Sequence, residues 1–383
     1  MRSLVAGLSA ALLVVGAAVA APVSREIAFV SNGEDGTVSL VDLQARKVVG
    51  LVDINPERTP GKHTGADNFA QDTEVSPDGR TLYVSRGYLR DVAAFDIATG
   101  RLLWKTPLNT ARSDHMSVSA DGRTIFISAL TDNAVYRIAT RDGSITGHVQ
   151  TGVWPHDTKF SNDGLRIYNS SIGVIKGLGI VDTPPPTEHP DTSYQLTIAD
   201  PATLKVLERI KLDAPFRPWA FAPGEKRIYA ELSNQRVVVT YDLTERKVVR
   251  RLELPSPPGA PIPDWLLEAP YHGLALTPDG QTLCLADRES DLAVLVHAPD
   301  LSKMAVVKVG AAPGWAELGQ GGRVCLLPNG RSNDLSIISI PGGVEVARVP
   351  VGRGPRHVRI ANVPEAVLAA MGRIPASPPK AAP

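Results

Sequence analysis

The sequence predicts an all-β protein, a seven-bladed β-propeller with four-stranded blades. Three observations lead to this prediction. The sequence has an internal repeat of about 42 residues, each repeat contains two hairpins, and the two chain ends each carry part of one further repeat. Glycine (33 residues) and proline (32 residues) are abundant, which is typical of a fold with many turns and few long helices.

The first half of each repeat reads as two short strands joined by an Asp-Gly turn. Apolar and polar residues alternate along the strands, as expected of half-buried β-structure. Glycine accepts the positive φ of such a turn, and aspartate caps its backbone. The clearest copies are DTEVSPDGRTLYVS (72–85), HMSVSADGRTIFIS (115–128), DTKFSNDGLRIYNS (157–170) and GLALTPDGQTLCLA (273–286). Weaker copies are WAFAPGEKRIYAE (219–231) and WAELGQGGRVCLLP (315–328), and a truncated copy, HVRIANVP, begins at His357.

The second half of each repeat reads as two more strands around a tight turn. Examples are TVSLVDLQARKVVG and DVAAFDIATGRLLW, and the seven copies span 37–50, 91–104, 134–147, 194–207, 236–249, 291–304 and 334–347. Each complete repeat therefore has the four strands of a propeller blade.

The two chain ends together supply one more blade. The N-terminal segment AFVSNGEDGTVSLVDLQARKVVG provides three strands without a first strand, whereas HVRIANVP provides a first strand without successors. Pairing them closes the ring and removes the free sheet edge that would otherwise favour aggregation.

The motif SPDGRTLYVS and its copies resemble the YVTN-type seven-bladed propellers, bacterial exported proteins related to lactonase-like and cytochrome d1-like propellers. The resemblance covers residues 26–362. It implies the fold, but it does not imply one activity, because propellers carry many unrelated functions.

The N-terminal segment MRSLVAGLSAALLVVGAAVAAP predicts a cleavable signal peptide over residues 1–20. Arg2 precedes a short apolar run, and Ala18-Val19-Ala20 fits the small-x-small pattern, so we expect cleavage after Ala20. No later segment has the run of about 20 apolar residues that a membrane span needs. We therefore expect a periplasmic or secreted protein, with the propeller over residues 21–362.

The overall charge excludes some classes of partner. Forty basic residues balance 40 acidic ones, and aromatic residues make up only 5%. The sequence thus has neither the positive field nor the stacking side chains that are typical of nucleic-acid binders. No phosphate loop is present either, so we expect no nucleotide cofactor.

Two cysteines, Cys284 and Cys325, occupy equivalent core positions in neighbouring repeats. We interpret them as two buried free thiols rather than a disulfide. Their spacing also excludes a CxxC metal motif.

Three stretches interrupt the repeat: residues 54–71, 171–193 and 254–271. Long insertions in a compact repeat fold are often lids or partner surfaces, and Trp265 in the last one is interpreted in this way. Residues 363–383 are predicted to form a short helix (Pro364–Met371) followed by a disordered tail rich in proline and alanine.

Histidines cluster just before the predicted inner strands, which line the central channel and open onto one face. Four of the eight histidines lie there, and a fifth lies in the loop before Asp72. Converging imidazoles are suitable ligands for copper or zinc, and carboxylates can orient them from behind. The proposed ligands are His63, His115, His156, His272 and His357, with Asp72, Asp114 and Asp157 as supporting carboxylates.

The histidine pattern is similar to that of the copper-holding propeller enzymes nitrous oxide reductase and thiocyanate dehydrogenase, in arrangement only. The histidines do not all align in the repeat, however, since His115 lies one position later than His156 and His272. The alternative is that these histidines hydrogen-bond neighbouring loops, as in the turn Trp154-Pro155-His156. Trp154, Arg217 and Arg356 are candidates for a ligand pocket, and Arg112 could also contact an anion. Trp219 and Trp315 are expected to pack between blades.

Three functional hypotheses follow. The first is a small-ligand site at the channel mouth, with a histidine-bound copper or zinc ion and oxidoreductase or hydrolytic activity. The second is a non-catalytic scaffold that binds an envelope protein or polymer. The third is a metal-independent lactonase that uses Asp72, His115 and Arg356 as acid–base pair and electrophile.

Overall fold

The protein folds as a seven-bladed β-propeller, as the repeat predicts. A computed structural model describes residues 23–58, 68–173, 194–233, 235–255 and 269–371. Within these ranges the strands form seven separate antiparallel sheets of four strands each. The strands nearest the channel are β4 (Asp72–Val75), β8 (Ser113–Val118), β12 (Pro155–Phe160), β16 (Phe216–Phe221), β20 (Tyr271–Leu276), β24 (Glu317–Gly319) and β28 (Pro355–Pro364).

The remaining strands complete the blades outward. The second strands are β1 (Ser24–Asn32), β5 (Thr81–Ser85), β9 (Thr124–Ala129), β13 (Ile167–Ser171), β17 (Arg227–Leu232), β21 (Thr282–Asp287) and β25 (Val324–Asn329). The third strands are β2 (Thr37–Asp42), β6 (Asp91–Asp96), β10 (Ala134–Ala139), β14 (Tyr194–Ala199), β18 (Val237–Asp242), β22 (Leu292–His297) and β26 (Asp334–Ser339). The outer strands are β3 (Lys47–Asp53), β7 (Leu102–Pro107), β11 (Ile145–Gln150), β15 (Val206–Leu212), β19 (Lys247–Glu253), β23 (Ser302–Lys308) and β27 (Val344–Pro350).

The hydrophobic core lies between the blades. Every residue of β2 and β18 is buried, whereas β7 on the outside alternates between half-buried and exposed residues. Trp219 has no exposed surface, and its ring lies 6.4 Å from that of Tyr168 in the preceding blade. The predicted inter-blade role of Trp219 is therefore confirmed.

The chain ends close the ring as predicted. β28 pairs with β1 in an antiparallel register that runs from Ser24↔Pro364 to Asn32↔Pro355. The helix α1 (Glu365–Met371) follows and buries Val367 in the core next to the closing blade. Among the described residues, no helix is long and apolar enough to cross a membrane.

The inner strands begin irregularly. Register shifts occur between Ser113 and Met116 in β8, between Pro155 and Asp157 in β12, and between Tyr271 and Leu274 in β20. Such β-bulges redirect the side chains at the start of the strand. His115 lies one position later than His156 in its strand, but its ring still reaches the same cluster, 4.5 Å from that of His156.

The prediction of two free thiols is wrong. Cys284 and Cys325 form a disulfide between β21 and β25, with their Cα atoms 6.5 Å apart. Equivalent positions on adjacent blades face each other across the inter-blade core, and both residues belong to the same buried cluster. The equivalence in the repeat therefore brings the two sulfur atoms together.

Several predictions lie outside the described residues. These are the signal peptide, most of the three insertions together with Trp265, and the Pro/Ala-rich tail. His63, the candidate ligand in the first insertion, is outside them as well.

Candidate functional site at the channel mouth

Four predicted histidines meet at one end of the channel. His115, His156, His272 and His357 are 2%, 0%, 8% and 1% exposed. The ring of His115 lies 4.5 Å from that of His156 and 5.5 Å from that of His357, and His156 lies 5.7 Å from His272. Four blades thus place one imidazole each in a continuous buried cluster, which we call the histidine mouth.

Trp315 forms one wall of the histidine mouth. Its indole stacks on His115 at 4.7 Å between ring centroids, and lies 4.3 Å from His357 and 5.9 Å from His272. It also packs between its own blade and the closing blade, as predicted. Gly273 allows the close approach, because a Cβ there would lie 2.5 Å from the Trp315 carbonyl carbon.

Asp72 orients two of the histidines. His357 Nδ1 lies 2.9 Å from Asp72 Oδ1, and His115 Nδ1 lies 3.3 Å from Asp72 Oδ2. The same carboxylate accepts hydrogen bonds from the backbone N–H groups of Thr73 and Met116. Burial opposes its ionisation, but the contacts with His357 and His115 hold the pKa of Asp72 well below its usual range. Asp72 Oδ2 thus lies against His115 Nδ1 and the Met116 N–H, which favours the His115 proton on Nδ1 and leaves its Nε2 lone pair over, whereas His357 Nδ1 approaches Oδ1 without hydrogen-bond geometry.

A second set of groups lies beside the first. Ligand atoms of Asp114, His115 and His156 lie within 4.8 Å of one another. Asp114 Oδ2, His115 Nε2 and His156 Nδ1 are all buried and have no hydrogen-bond partner among the described residues. Buried polar atoms without partners are costly, so this trio is suited to an additional ligand.

The other contacts of the imidazoles determine which ring nitrogen has a lone pair available for a metal ion. Arg217 Nε donates to His156 Nε2 at 3.3 Å, which places the His156 proton on Nδ1. His272 Nδ1 lies 2.9 Å from the Gly314 carbonyl oxygen, so its Nε2 lone pair faces away. Burial lowers the pKa values of His156 and His272 well below the usual range, and lowers that of His357 to about 4. These three imidazoles are neutral at physiological pH, the state that binds metals.

The remaining predicted residues divide into two groups. Arg217 lies at the histidine mouth, where its charge acts on His156 and His272. Arg356 directly precedes His357 in β28, and the charges of Arg112 and Arg288 act on its guanidinium. Asp157 instead faces Lys159, with 3.1 Å between Oδ2 and Nζ. Trp154 is buried, and its backbone N–H donates to Asn133 Oδ1.

Two residues near the mouth, Glu231 and Arg288, were not among the site residues predicted from the sequence. Glu231 is fully buried and accepts a hydrogen bond from the N–H of Gly273, next to His272. Burial raises the pKa of Glu231 well above its usual range, so the carboxyl is neutral. A glutamate within the apolar strand RIYAEL is the sequence signal that could have identified it. Arg288, which follows β21, acts electrostatically on His272 and Arg356.

The channel below the mouth carries a group of charged side chains. Arg359 lies 2.8 Å from Glu74 and 3.0 Å from Glu317. Burial raises the pKa of Glu74 to about 8, despite the nearby guanidinium. Glu74 and Glu317 are both partly buried, and they share this one cation.

Comparison with known proteins supports the fold. The sequence profile of the family described as outer membrane protein assembly factor BamB matches residues 10–180. The hydrazine synthase of Kuenenia stuttgartiensis superposes with a TM-score of 0.63 at 19% identity, over 82% of this chain and 92% of that chain. No curated protein matches the sequence significantly.

Two structures that are similar to the chain are lactonase-type propellers. The periplasmic gluconolactonase of Pseudomonas aeruginosa has a TM-score of 0.63 and 20% identity, over 88% of this chain and 99% of that one. A putative 6-phosphogluconolactonase of Bacteroides fragilis has a TM-score of 0.65 and 13% identity, over 88% and 98%. The resemblance to lactonase-like seven-bladed propellers is thus confirmed for the fold.

Proposed function

We propose that the protein is an exported propeller that binds a copper or zinc ion at the histidine mouth and acts there on a small molecule. The observation that carries this proposal is the trio of Asp114, His115 and His156, each of which has a buried ligand atom without a hydrogen-bond partner in the described part of the chain. Imidazole nitrogens with one carboxylate oxygen are donors that suit both ions.

The surroundings of the trio support metal binding. Asp72 holds the Nδ1 atoms of His115 and His357, so that His115 presents Nε2 in a fixed orientation. A carboxylate behind a ligating histidine is the common arrangement in metal sites, because it fixes the tautomer and raises the basicity of the imidazole. When bound, copper would supply one-electron chemistry and zinc would polarise a bound oxygen. His272 and His357 lie at the edge of the same cluster and can contact what binds beside the ion.

In the observed arrangement, Arg217 hinders metal binding by His156. Its N–H on His156 Nε2 leaves Nδ1 protonated, and a protonated nitrogen does not bind a metal. Metal binding at Nδ1 therefore requires the His156 proton to move to Nε2 and the guanidinium of Arg217 to turn away.

The direct test is the metal content of the untagged full chain after export and of matched variants. We expect about one equivalent of copper or zinc in the wild type, and its loss in His115→Ala and His156→Ala. His297 is a suitable control, because it lies at the exposed end of the third strand β22 and is paired with Asp300. Wild-type protein that stays metal-free after incubation with either ion contradicts the proposal and favours the scaffold that binds an envelope protein.

A lactonase activity is the second candidate, since Asp72 contacts His115 in the mouth and Arg356 directly precedes His357 in β28. A carboxylate–imidazole pair beside a guanidinium can activate water and polarise a lactone carbonyl. The expected result is hydrolysis of gluconolactone that survives chelation and is lost in Arg356→Gln. Absence of hydrolysis by the wild-type chain would eliminate this candidate.

A further inference from the structure

A group of buried acidic side chains lies outside the metal trio, between the blade formed by β16–β19 and the one formed by β20–β23. Glu231 lies in β17 and Asp287 at the end of β21, and both are 0% exposed. Arg236 precedes β18, and its Nη2 donates to the partly buried Glu289. The charge of Asp287 acts on Glu231, and Arg236 Nη1 lies 3.9 Å from Asp287 Oδ1. Glu231, Asp287 and Glu289 therefore meet beside one guanidinium, and we call them the interblade acids.

Each interblade acid has one oxygen atom without a hydrogen-bond partner among the described residues. Glu231 Oε2 accepts a hydrogen bond from the N–H of Gly273 at 3.0 Å. Asp287 Oδ1 accepts from the N–H groups of Glu289 and Ser290, both at 3.1 Å. A carboxylate can accept about four hydrogen bonds, and leaving buried acceptors empty is costly. The buried oxygens suited to a further binding partner are Glu231 Oε1, Asp287 Oδ2, Glu289 Oε1 and Ser290 Oγ.

Neighbouring donors do not fill these positions. Arg236 Nη1 is too far from Asp287 for a hydrogen bond, and Arg236 Nε is itself without a partner in the part of the chain that the structure describes. The hydroxyl of Tyr271, which also lies near Asp287, donates to the carbonyl oxygen of Pro255 at 3.0 Å. The charge that acts on Glu231 is that of Asp287, which is a like charge. Like charges repel strongly where water is excluded, so a cation between Glu231 and Asp287 would favour the ionised form of both.

We propose that the interblade acids bind a calcium ion, with Glu231 and Asp287 as its main protein ligands. Calcium takes about six to eight oxygen ligands in flexible geometry, carboxylates and water among them, whereas copper and zinc prefer imidazole. The oxygens of the three acids do not all lie within 4.8 Å of one another in the described structure. Glu289 therefore joins the ion only when it turns from Arg236, and water completes the coordination. Because Glu231 and Asp287 belong to neighbouring blades, the bound ion links these blades, as the disulfide links the next pair.

Calorimetric titration of the metal-free full chain with calcium chloride tests the inference. We expect saturable one-to-one binding, with a dissociation constant of about 0.1–1 mM, the range of extracellular calcium sites. Glu231→Gln and Asp287→Asn are each expected to weaken binding at least about tenfold, because each removes a charge but keeps the oxygen that accepts the backbone N–H. Calcium should also raise the unfolding temperature of the wild type more than that of Glu231→Gln. Asp142→Asn is the matched control, since Asp142 likewise accepts a backbone N–H but lies at the surface beside Arg141.

Three outcomes overturn the inference. One is the absence of saturable binding to the wild type up to about 10 mM calcium. Another is equal weakening by Asp142→Asn and Glu231→Gln, which would indicate non-specific attraction. The third is magnesium binding as tight as that of calcium. Where a buried variant does not fold, Glu289→Gln at its partly exposed position takes its place and is also expected to weaken binding, and an affinity equal to that of Asp142→Asn then overturns the inference. The result is independent of copper or zinc at the histidine mouth, because the chain is titrated with calcium alone.

Discussion

The disulfide between neighbouring blades yields a stability prediction with a defined magnitude. Cys284 and Cys325 are 41 residues apart and fully buried. Closing a loop of this length removes chain entropy from the unfolded state, which corresponds to about 4 kcal/mol at 25 °C in the loop-closure relation. Reduction leaves the same side chains in the same core. We therefore expect reduced protein to have a free energy of unfolding about 4 kcal/mol lower than that of oxidised protein.

Urea unfolding of metal-free protein with and without dithiothreitol measures this difference. A double variant, Cys284→Ala with Cys325→Ala, serves as the control and should respond to the reductant by less than about 0.5 kcal/mol. Thiol titration in denaturant should find no free thiol in the oxidised wild type and two after reduction. Two free thiols before reduction would show that the disulfide does not form, and equal stabilities of the two forms would show that it does not stabilise the fold.

Three further predictions concern charged and titratable groups. Glu74 has a folded-state pKa of about 8, so its contribution to stability is full below pH 4.5 and is lost as the pH rises to 8. In urea titrations over this pH range, the free energy of unfolding of the wild type should therefore fall by up to about 1.4 kcal/mol per pH unit relative to that of Glu74→Gln. Parallel pH profiles of the two proteins would contradict this. His357 has the opposite dependence: its pKa falls to about 4, so its contribution is full above pH 6.5 and declines toward pH 4. Metal-free His357→Gln should accordingly lose less stability between pH 7 and 5 than the wild type, and an equal loss would rule this out. The Arg217→Met variant should bind copper about tenfold more tightly than the wild type, as measured by calorimetry. In the variant, ion binding no longer has to break the hydrogen bond from Arg217 to His156, which is worth about 1.4 kcal/mol. An unchanged or weaker affinity would show that Arg217 does not compete with the ion.

The architecture could be predicted from the sequence because each repeat contains its own turns. The Asp-Gly turns at residues 78–79 and 121–122 place glycine at positive φ, at +67° and +70°. Closure by β28 and β1 followed from the two incomplete repeats. The disulfide could not be predicted in this way, because equivalent positions in neighbouring repeats do not reveal whether the side chains of Cys284 and Cys325 face each other across the core between blades.

The site could be predicted only in part. Position before the inner strands identified His115, His156, His272 and His357, since one face of a propeller brings these positions together. Contacts within the mouth could not be read from the sequence, because β-bulges decide the direction of each side chain. Asp157, for example, faces Lys159 instead of an imidazole. Arg288, which acts on His272, follows β21 and so lies outside the positions before the inner strands.

Anomalous diffraction from crystals grown with copper tests most directly whether the histidine mouth holds a metal ion. The predicted result is one anomalous peak about 2.0 Å from His115 Nε2, within reach of His156 and Asp114. Crystals of the His115→Ala variant should lack that peak. An empty mouth in copper-loaded crystals, or a peak only at surface groups such as His297, would contradict the claim.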